Sequence, residues 1–194
     1  MHKYLPDYLK GRDDIGELAR YSVTVGEQLR SIIDRDSLTG LYNRRSGRYL
    51  LDSLHSRSVS DGSAYTLVMC DIDYFKNIND KYGHDIGDNV LKRIYSIVLD
   101  CSGNCQNSFV IRWGGEEALM GFPLGKRETL DIVRNIRQRI KEEIFESNSG
   151  EKFSITMTYG VESSEGHQDV HSVIVCADEN MYKGKKSGRD IIVS

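Results

Sequence analysis

The order of elements in this chain predicts an α+β fold: a β-α-β-β-α-β core with a central antiparallel sheet, extra helices, and one more helix in front. Three observations carry that prediction. Residues 65–72 read Tyr-Thr-Leu-Val-Met-Cys-Asp-Ile, a near-continuous apolar run of the kind that forms a buried strand. Residues 109–122 hold two short apolar runs joined through Gly114-Gly115, a hairpin pattern. Residues 130–145 place Ile132, Val133, Ile136, Ile140 and Ile144 on one helical face. Together they give the ferredoxin-like arrangement, with helices expected on one face of the sheet.

Taken in order, the first element is a helix. Ile15, Leu18, Val25, Leu29 and Ile32, with Ser22 in the gap, alternate three and four apart. That is the a/d pattern of a coiled coil, over fewer than three heptads. Residues 1–35 are read as a helical stalk or linker, either packing on its own domain or dimerising. The stretch 36–45, punctuated by Gly40, ends that helix and begins another, which runs through Tyr49, Leu50, Leu51 and Leu54. A Gly62-serine loop leads into the strand 65–72. Helical segments 79–82 and 90–98 follow, interrupted by Gly83 and Gly87. Strands at 109–113 and 118–122 make the hairpin, and helix 130–145 comes next. A strand at 153–161, a helix at 170–182 and a short strand at 191–193 complete the chain.

Composition narrows the function. Of 194 residues, 39% are hydrophobic, enough for a packed core, and the formal net charge is -3. Nothing in that balance draws the chain toward nucleic acid or an anionic membrane. No apolar run is long enough to span a bilayer, so a cytoplasmic chain without membrane insertion is expected. Cys70, Cys101, Cys105 and Cys176 lack zinc spacing and are expected as free thiols. His167 and His171 are expected as solvated surface residues.

Two places put carboxylates at strand edges. Asp71-Ile72-Asp73 closes the first strand, and Glu116-Glu117 follows the Gly-Gly turn. The first strand is central in this topology and is expected to pair with the first strand of the hairpin, which would bring Asp71 toward Glu116. Converging carboxylates repel unless a proton or a metal offsets them. Hard oxygen ligands suit Mg²⁺ or Mn²⁺, and a pair of such ions suits activation of a hydroxyl and stabilisation of a leaving pyrophosphate. Lys76 lies just after the first strand, and Lys183, Lys185, Lys186 and Arg189 cluster after the last helix, which suits an anionic substrate.

In sum, four blocks resemble the GGDEF diguanylate cyclases. They are residues 36–45 (Asp-Ser-Leu-Thr-Gly-Leu-Tyr-Asn-Arg-Arg), 71–88 (from Asp-Ile-Asp-Tyr-Phe-Lys to Gly-Asp), 112–117 (Arg-Trp-Gly-Gly-Glu-Glu) and 177–189 (ending Lys-Gly-Lys-Lys-Ser-Gly-Arg). The resemblance covers residues 36–194, the cyclase domain. It implies that Asp71 and Glu116 are side-chain metal ligands, with the Ile72 carbonyl as a backbone ligand and two ions per active site. It implies Glu116 and Glu117 as the catalytic acids, Glu116 assisting deprotonation of a ribose 3′-hydroxyl and Glu117 in support. Lys76, Lys185 and Arg189 match phosphate-binding positions, and Phe75 and Lys76 would offer backbone N–H groups. Asn79 and Asp88 match the guanine-binding pair, with Leu38 lining the base pocket. Gly114 and Gly115 would let backbone approach the nucleotide.

The reaction implied joins two GTP molecules into cyclic di-GMP plus pyrophosphate between two protomers of a homodimer. Two departures stand out. Ala118 replaces the Phe that ends the family motif, a core position. Cys105 and Ser108 stand where many relatives carry the Arg and Asp of an Arg-x-x-Asp product-inhibition site. The alternative is a non-catalytic module of the same fold that binds GTP or a cyclic dinucleotide.

Overall fold

The structure is a computed structural model that describes residues 14–194, with side chains described at 16–25 and from 33 onward. The chain divides between Arg35 and Asp36 into two compact units. In the first, helix α1 spans Asp14–Asp34. Leu18 and Tyr21 on it are exposed. The side chains of Ile15, Leu29 and Ile32, part of the expected stripe, lie outside the described residues.

The second unit begins with α2, Arg44–Asp61. Its first turn is capped by Asn43, whose side-chain oxygen accepts from the Ser46 N–H at 3.1 Å, and it ends at Gly62 in the left-handed region, φ 72°. Next come β1 (Thr66–Ile72), α3 (Phe75–Tyr82), α4 (His84–Ser102), β2 (Phe109–Arg112) and β3 (Glu117–Phe122). They are followed by α5 (Lys126–Glu142), β4 (Phe145–Glu146), β5 (Lys152–Phe153), β6 (Met157–Ser163), α6 (Val170–Lys186) and β7 (Ile192–Val193).

The main sheet has five strands in the order β2-β3-β1-β6-β7. β1 is antiparallel to both neighbours, and β7 joins parallel to β6. All seven residues of β1 are buried. Alternate side chains therefore need cover on opposite faces. Val68, Cys70 and Ile72 enter a core with Ile78, Val90, Ile94, Val133 and Ile136 from α3, α4 and α5. Leu67 and Met69 enter a second core with Leu51, Leu54, Val173, Ala177 and Met181 from α2 and α6. Helices thus cover both faces of the sheet, not one. Each fully buried aliphatic side chain in these cores contributes about 1.5–3 kcal/mol. α6 lies so close to β6 that a Cβ at Gly160 would stand 2.0 Å from the Ala177 carbonyl oxygen, which fixes where the end of α6 projects.

The structure corrects several expectations. β1 pairs with β3, the second strand of the hairpin, and Asp71 faces Glu117 in register. Gly87 lies inside α4 and does not break it, because buried Ile86, Val90 and Leu91 anchor the helix on either side. α5 starts at Lys126 and stops at Glu142, so Ile144 is 60% exposed and not part of the buried face. Phe145 and Phe153 instead stack across the small β4–β5 pair, which had no sequence signal beyond these two rings. β6 begins at Met157, four residues later than expected. His167 is only 17% exposed and sits against Ser172 and Glu162, so it is not a solvated histidine. The four cysteines are free. Among the described residues no helix is long and apolar enough to cross a membrane.

Candidate active site

The end of β1 and the start of β3 form an acidic edge. Asp71 is 7% exposed and sits in register with Glu117, which puts the two side chains on one face of the sheet. Burial pushes the Asp71 carboxyl up to about 6; its ion pair with Lys185 works against this, while Glu116 and Glu117 add to it. The main chain of both glutamates is pinned: the Tyr95 hydroxyl donates to the Glu116 carbonyl at 2.8 Å, and the Trp113 N–H donates to the Glu117 carbonyl at 2.9 Å.

Arg112 braces the turn from outside. Its guanidinium donates to the Gly115 carbonyl at 3.1 and 2.8 Å and to Asp36 at 2.9 Å. Partial burial opposes a charge on Asp36, but hydrogen bonds from Thr39 and Arg112 prevail and hold its carboxyl below the usual value. The first and third sequence blocks are therefore one device that presents the acids. Neither Gly114 nor Gly115 needs a left-handed backbone. A Cβ at Gly114 would stand 2.4 Å from Glu117 Oε2, so this glycine makes room for the protein's own acid. At Gly115 no atom beyond its chain neighbours lies within 4 Å of that position, so its bareness serves no packing contact.

Two segments bring cations and donors to the same edge. Lys185, near the end of α6, reaches Asp71 Oδ2 at 2.8 Å. An ammonium has three N–H donors, and Asp71 takes one. Arg189, three residues beyond α6, lays its guanidinium 4.3 Å from the Tyr74 ring centroid and donates to the Tyr74 hydroxyl at 3.2 Å. Tyr74 itself adopts φ 56° and starts α3, so the Phe75 and Lys76 N–H groups are first-turn donors of that helix, which the helix itself does not satisfy. Lys76 is exposed. Lys183 turns instead to Asn180, and Lys186 stacks on Tyr182.

The third part of the site lies between α3 and α4. Asn79 Oδ1 is buried and has no hydrogen-bond partner. A Cβ at Gly87 would stand 1.9 Å from it, so glycine there lets the amide sit where it does. Asp88 is the exposed neighbour of Gly87. Leu38 is partly buried against the core beside α3 and α4. An amide oxygen without a partner next to an exposed carboxylate offers hydrogen bonds to a polar planar ligand.

Among the described residues no three His, Cys, Asp or Glu side chains gather into a metal cage. The donor set nevertheless fits Mg²⁺, which is commonly held by one or two carboxylates with phosphate oxygens and water completing its shell. Asp71 is a buried acid beside two further acids and one ammonium, which leaves negative charge to be offset.

Ala118 is fully buried in the α3–α4–α5 core with Met120, Phe122 and Tyr95, a cluster that Ile72, Phe75 and Leu38 also join. At the other end of β2, Ser108 donates its hydroxyl to the carbonyls of Ser102 and Cys105 at 3.0 and 2.9 Å. Sequence reading missed Asp73, Tyr74, Asp190 and Arg137, which hold the cation segments. Of these, Asp73 alone carries a chemical signal in the sequence, as an acid at a strand end, and there it reads as part of the acidic cluster.

The chain matches the family described as "Diguanylate cyclase, GGDEF domain" over residues 33–191. It is 36% identical over 162 residues to the response regulator PleD of Caulobacter vibrioides, covering 81% of this chain and 35% of that protein. It is 29% identical over 168 residues to the diguanylate cyclase DgcM of Escherichia coli, covering 87% and 40%. The chain thus spans well under half the length of these relatives. The coiled coil and GGDEF domain of DgcB from Caulobacter crescentus, solved in complex with c-di-GMP, superposes with a TM-score of 0.84 at 28% identity over 96% of this chain and 99% of that one. Diguanylate cyclase SiaD from Pseudomonas aeruginosa, solved with its activator SiaC, superposes with a TM-score of 0.78 at 30% identity, over 92% and 71%. Since that family match takes in residues 33–191, most of the chain, this chain belongs to the GGDEF domain family of diguanylate cyclases.

Proposed function

We propose that this chain condenses two GTP molecules into cyclic di-GMP and pyrophosphate. One observation carries the reading: an acidic edge, buried Asp71 with half-buried Glu116 and Glu117, is flanked by cations and helix-start N–H groups at 74–76 and 185–189 and by the partnerless Asn79 oxygen. Asp71, Glu116 and the Ile72 carbonyl would hold Mg²⁺, or Mn²⁺, with two ions per site; when bound, it supplies charge stabilisation of the reacting phosphate and activation of the hydroxyl.

The chain's own groups do the rest. Lys76, Lys185, Arg189 and the first N–H groups of α3 bind the phosphates. Asn79 and Asp88 bind guanine, and Leu38 covers the base. Glu116 accepts the proton of the 3′-hydroxyl, and Glu117 supports its charge. The 3′ oxygen then bonds to the α-phosphorus of the second GTP, the bond to pyrophosphate breaks, and the same exchange in the other direction closes the ring. Positioning and electrostatics supply most of the acceleration in such transfers. One protomer holds one GTP, so two must face each other; the a/d spacing in residues 15–32 supports a homodimeric stalk. Free thiols and the absence of any membrane-length helix among the described residues suit action in the cytoplasm.

The test is pyrophosphate release from GTP by the purified chain with Mg²⁺, at several protein concentrations. Release that needs the metal and whose rate per protomer rises with concentration is expected. Tight GTP binding with no release would support the non-catalytic module instead.

A further inference from the structure

Asp73 is the third residue of the Asp-Ile-Asp block and stands beside the acidic edge, yet its carboxylate is fully committed elsewhere. It is 4% exposed. Its Oδ1 accepts from the Thr158 hydroxyl at 2.7 Å, and its Oδ2 accepts from the Thr156 hydroxyl at 2.7 Å and from the Asp190 N–H at 3.0 Å. The Asp73 N–H donates to the Thr156 carbonyl at 2.9 Å. A carboxylate holding three donors has little capacity left for a cation.

The segment it grips is the one that carries Arg189. Three consecutive residues there lie in the left-handed region: Gly188 at φ 117°, Arg189 at 64° and Asp190 at 48°. Residues with a Cβ resist that backbone, so something must hold it. From beneath, Asp73 takes the Asp190 N–H. From the side, α5 takes the rest: Arg137 donates to the Asp190 carbonyl at 3.0 and 2.7 Å and pairs with its carboxylate at 2.8 Å, and Lys141 pairs with it at 2.7 Å. The Arg189 N–H donates back to the Gly184 carbonyl at 3.1 Å. The result is an Arg189 guanidinium aimed over Tyr74, which itself holds φ 56° at the start of α3.

We propose that Asp73 is a positioning residue that locks the 188–190 loop, through the Asp190 N–H and the α5 cations, so that Arg189 and the first turn of α3 grip the same polyphosphate. This rests on the GTP reading above, and it makes Asp73 a phosphate-affinity residue and not a metal ligand.

The test measures binding of a non-hydrolysable GTP analogue, of guanosine, and of Mg²⁺, alongside KM and kcat for GTP. Wild-type protein that binds no GTP analogue would refute the GTP reading itself, separately from the role of Asp73. Asp73→Ala should weaken the analogue by about tenfold or more, the loss of one well-placed ionic grip. Guanosine affinity, the Mg²⁺ requirement and kcat should stay near wild type. Asp73→Asn should restore most of the affinity, because its amide oxygen can accept from Asp190 and Thr156 while the Thr158 hydroxyl turns to accept from the amide nitrogen. A metal ligand would not be rescued that way, since an amide lacks the charge. Arg137→Met, on the far side of the loop, should weaken the analogue severalfold, and this variant decides the matter if Asp73→Ala does not fold. The proposal is overturned if Asp73→Asn needs more Mg²⁺, if guanosine and analogue lose affinity equally, or if Arg137→Met binds the analogue as wild type does.

Discussion

The two turns that bound β2 spend their polar groups in opposite ways. In the turn before it, the Ser108 hydroxyl and N–H and the Cys105 N–H all bond to carbonyls within residues 102–105, and Cys105-Gln106-Asn107-Ser108 carries no charge. In the turn after it, the glutamates give only their main chain to the fold, and Arg112 and Asp36 hold the backbone from outside. Among the described residues the carboxylates of Glu116 and Glu117 take part in no hydrogen bond or ion pair. One turn is closed on itself, and the other leaves its charge for a ligand. Polar groups that a fold has not satisfied are the better guide to function than polar groups as such.

That contrast breaks most sharply at Glu116. Glu116→Gln keeps the shape and removes the charge, so product formation should fall by about 100-fold or more, the scale of losing a catalytic acid or base. Near-normal turnover would remove Glu116 from its role. The protein's melting temperature should barely move, since its carboxylate supports no contact in the fold.

Gly87 tests the open Asn79 amide between α3 and α4. A Cβ there must displace the Asn79 amide, which can swing away, so Gly87→Ala should fold and lose one base contact. The preference for GTP over ATP should drop by roughly five- to 150-fold, from a loss of about 1–3 kcal/mol. An unchanged preference would mean that Asn79 does not read the base.

Asp71 gives a smaller, pH-dependent signal. Its carboxyl is raised from 3.8 to about 6 in the folded state, so between those values the folded chain binds the proton more than the unfolded one. Its contribution makes metal-free protein less stable as pH rises from about 4 to about 6. The difference in melting temperature between Asp71→Asn and wild type should therefore grow across that window, in favour of the variant. A pH-independent difference would contradict the burial of a charged Asp71.

The closed turn predicts no effect at all. Added cyclic di-GMP at saturating GTP should leave the initial rate unchanged, apart from competition that more GTP overcomes. Inhibition that GTP cannot reverse would reveal a second product site.

Much of this was legible in the sequence because it is local. A seven-residue apolar strand, a Gly-Gly hairpin and runs of acids next to cations announce themselves at short range. What the sequence concealed depends on partners far apart in the chain. Asp73 meets Thr156, Thr158 and Asp190 across separations of 83, 85 and 117 residues, and no local pattern marks such a buckle. Ile144 continues the apolar period of α5, but the helix has ended before it, so periodicity alone placed it wrongly in the core. Gly87 reads as a breaker by propensity, yet packing on both sides of it and the need to clear Asn79 override that preference. The pairing of β1 with β3 follows from the sheet order, which hairpin spacing does not determine.

The proposed work of the acidic edge and the cation segments is to join two GTP molecules into a ring. Its most direct test is the mass of the product formed from GTP and Mg²⁺ by the purified chain. A single product with the mass of two GMP units joined in a ring, absent when the metal is chelated, is the expected result. GDP, a linear dinucleotide, or unreacted GTP at concentrations where the chain is folded and dimeric would contradict it.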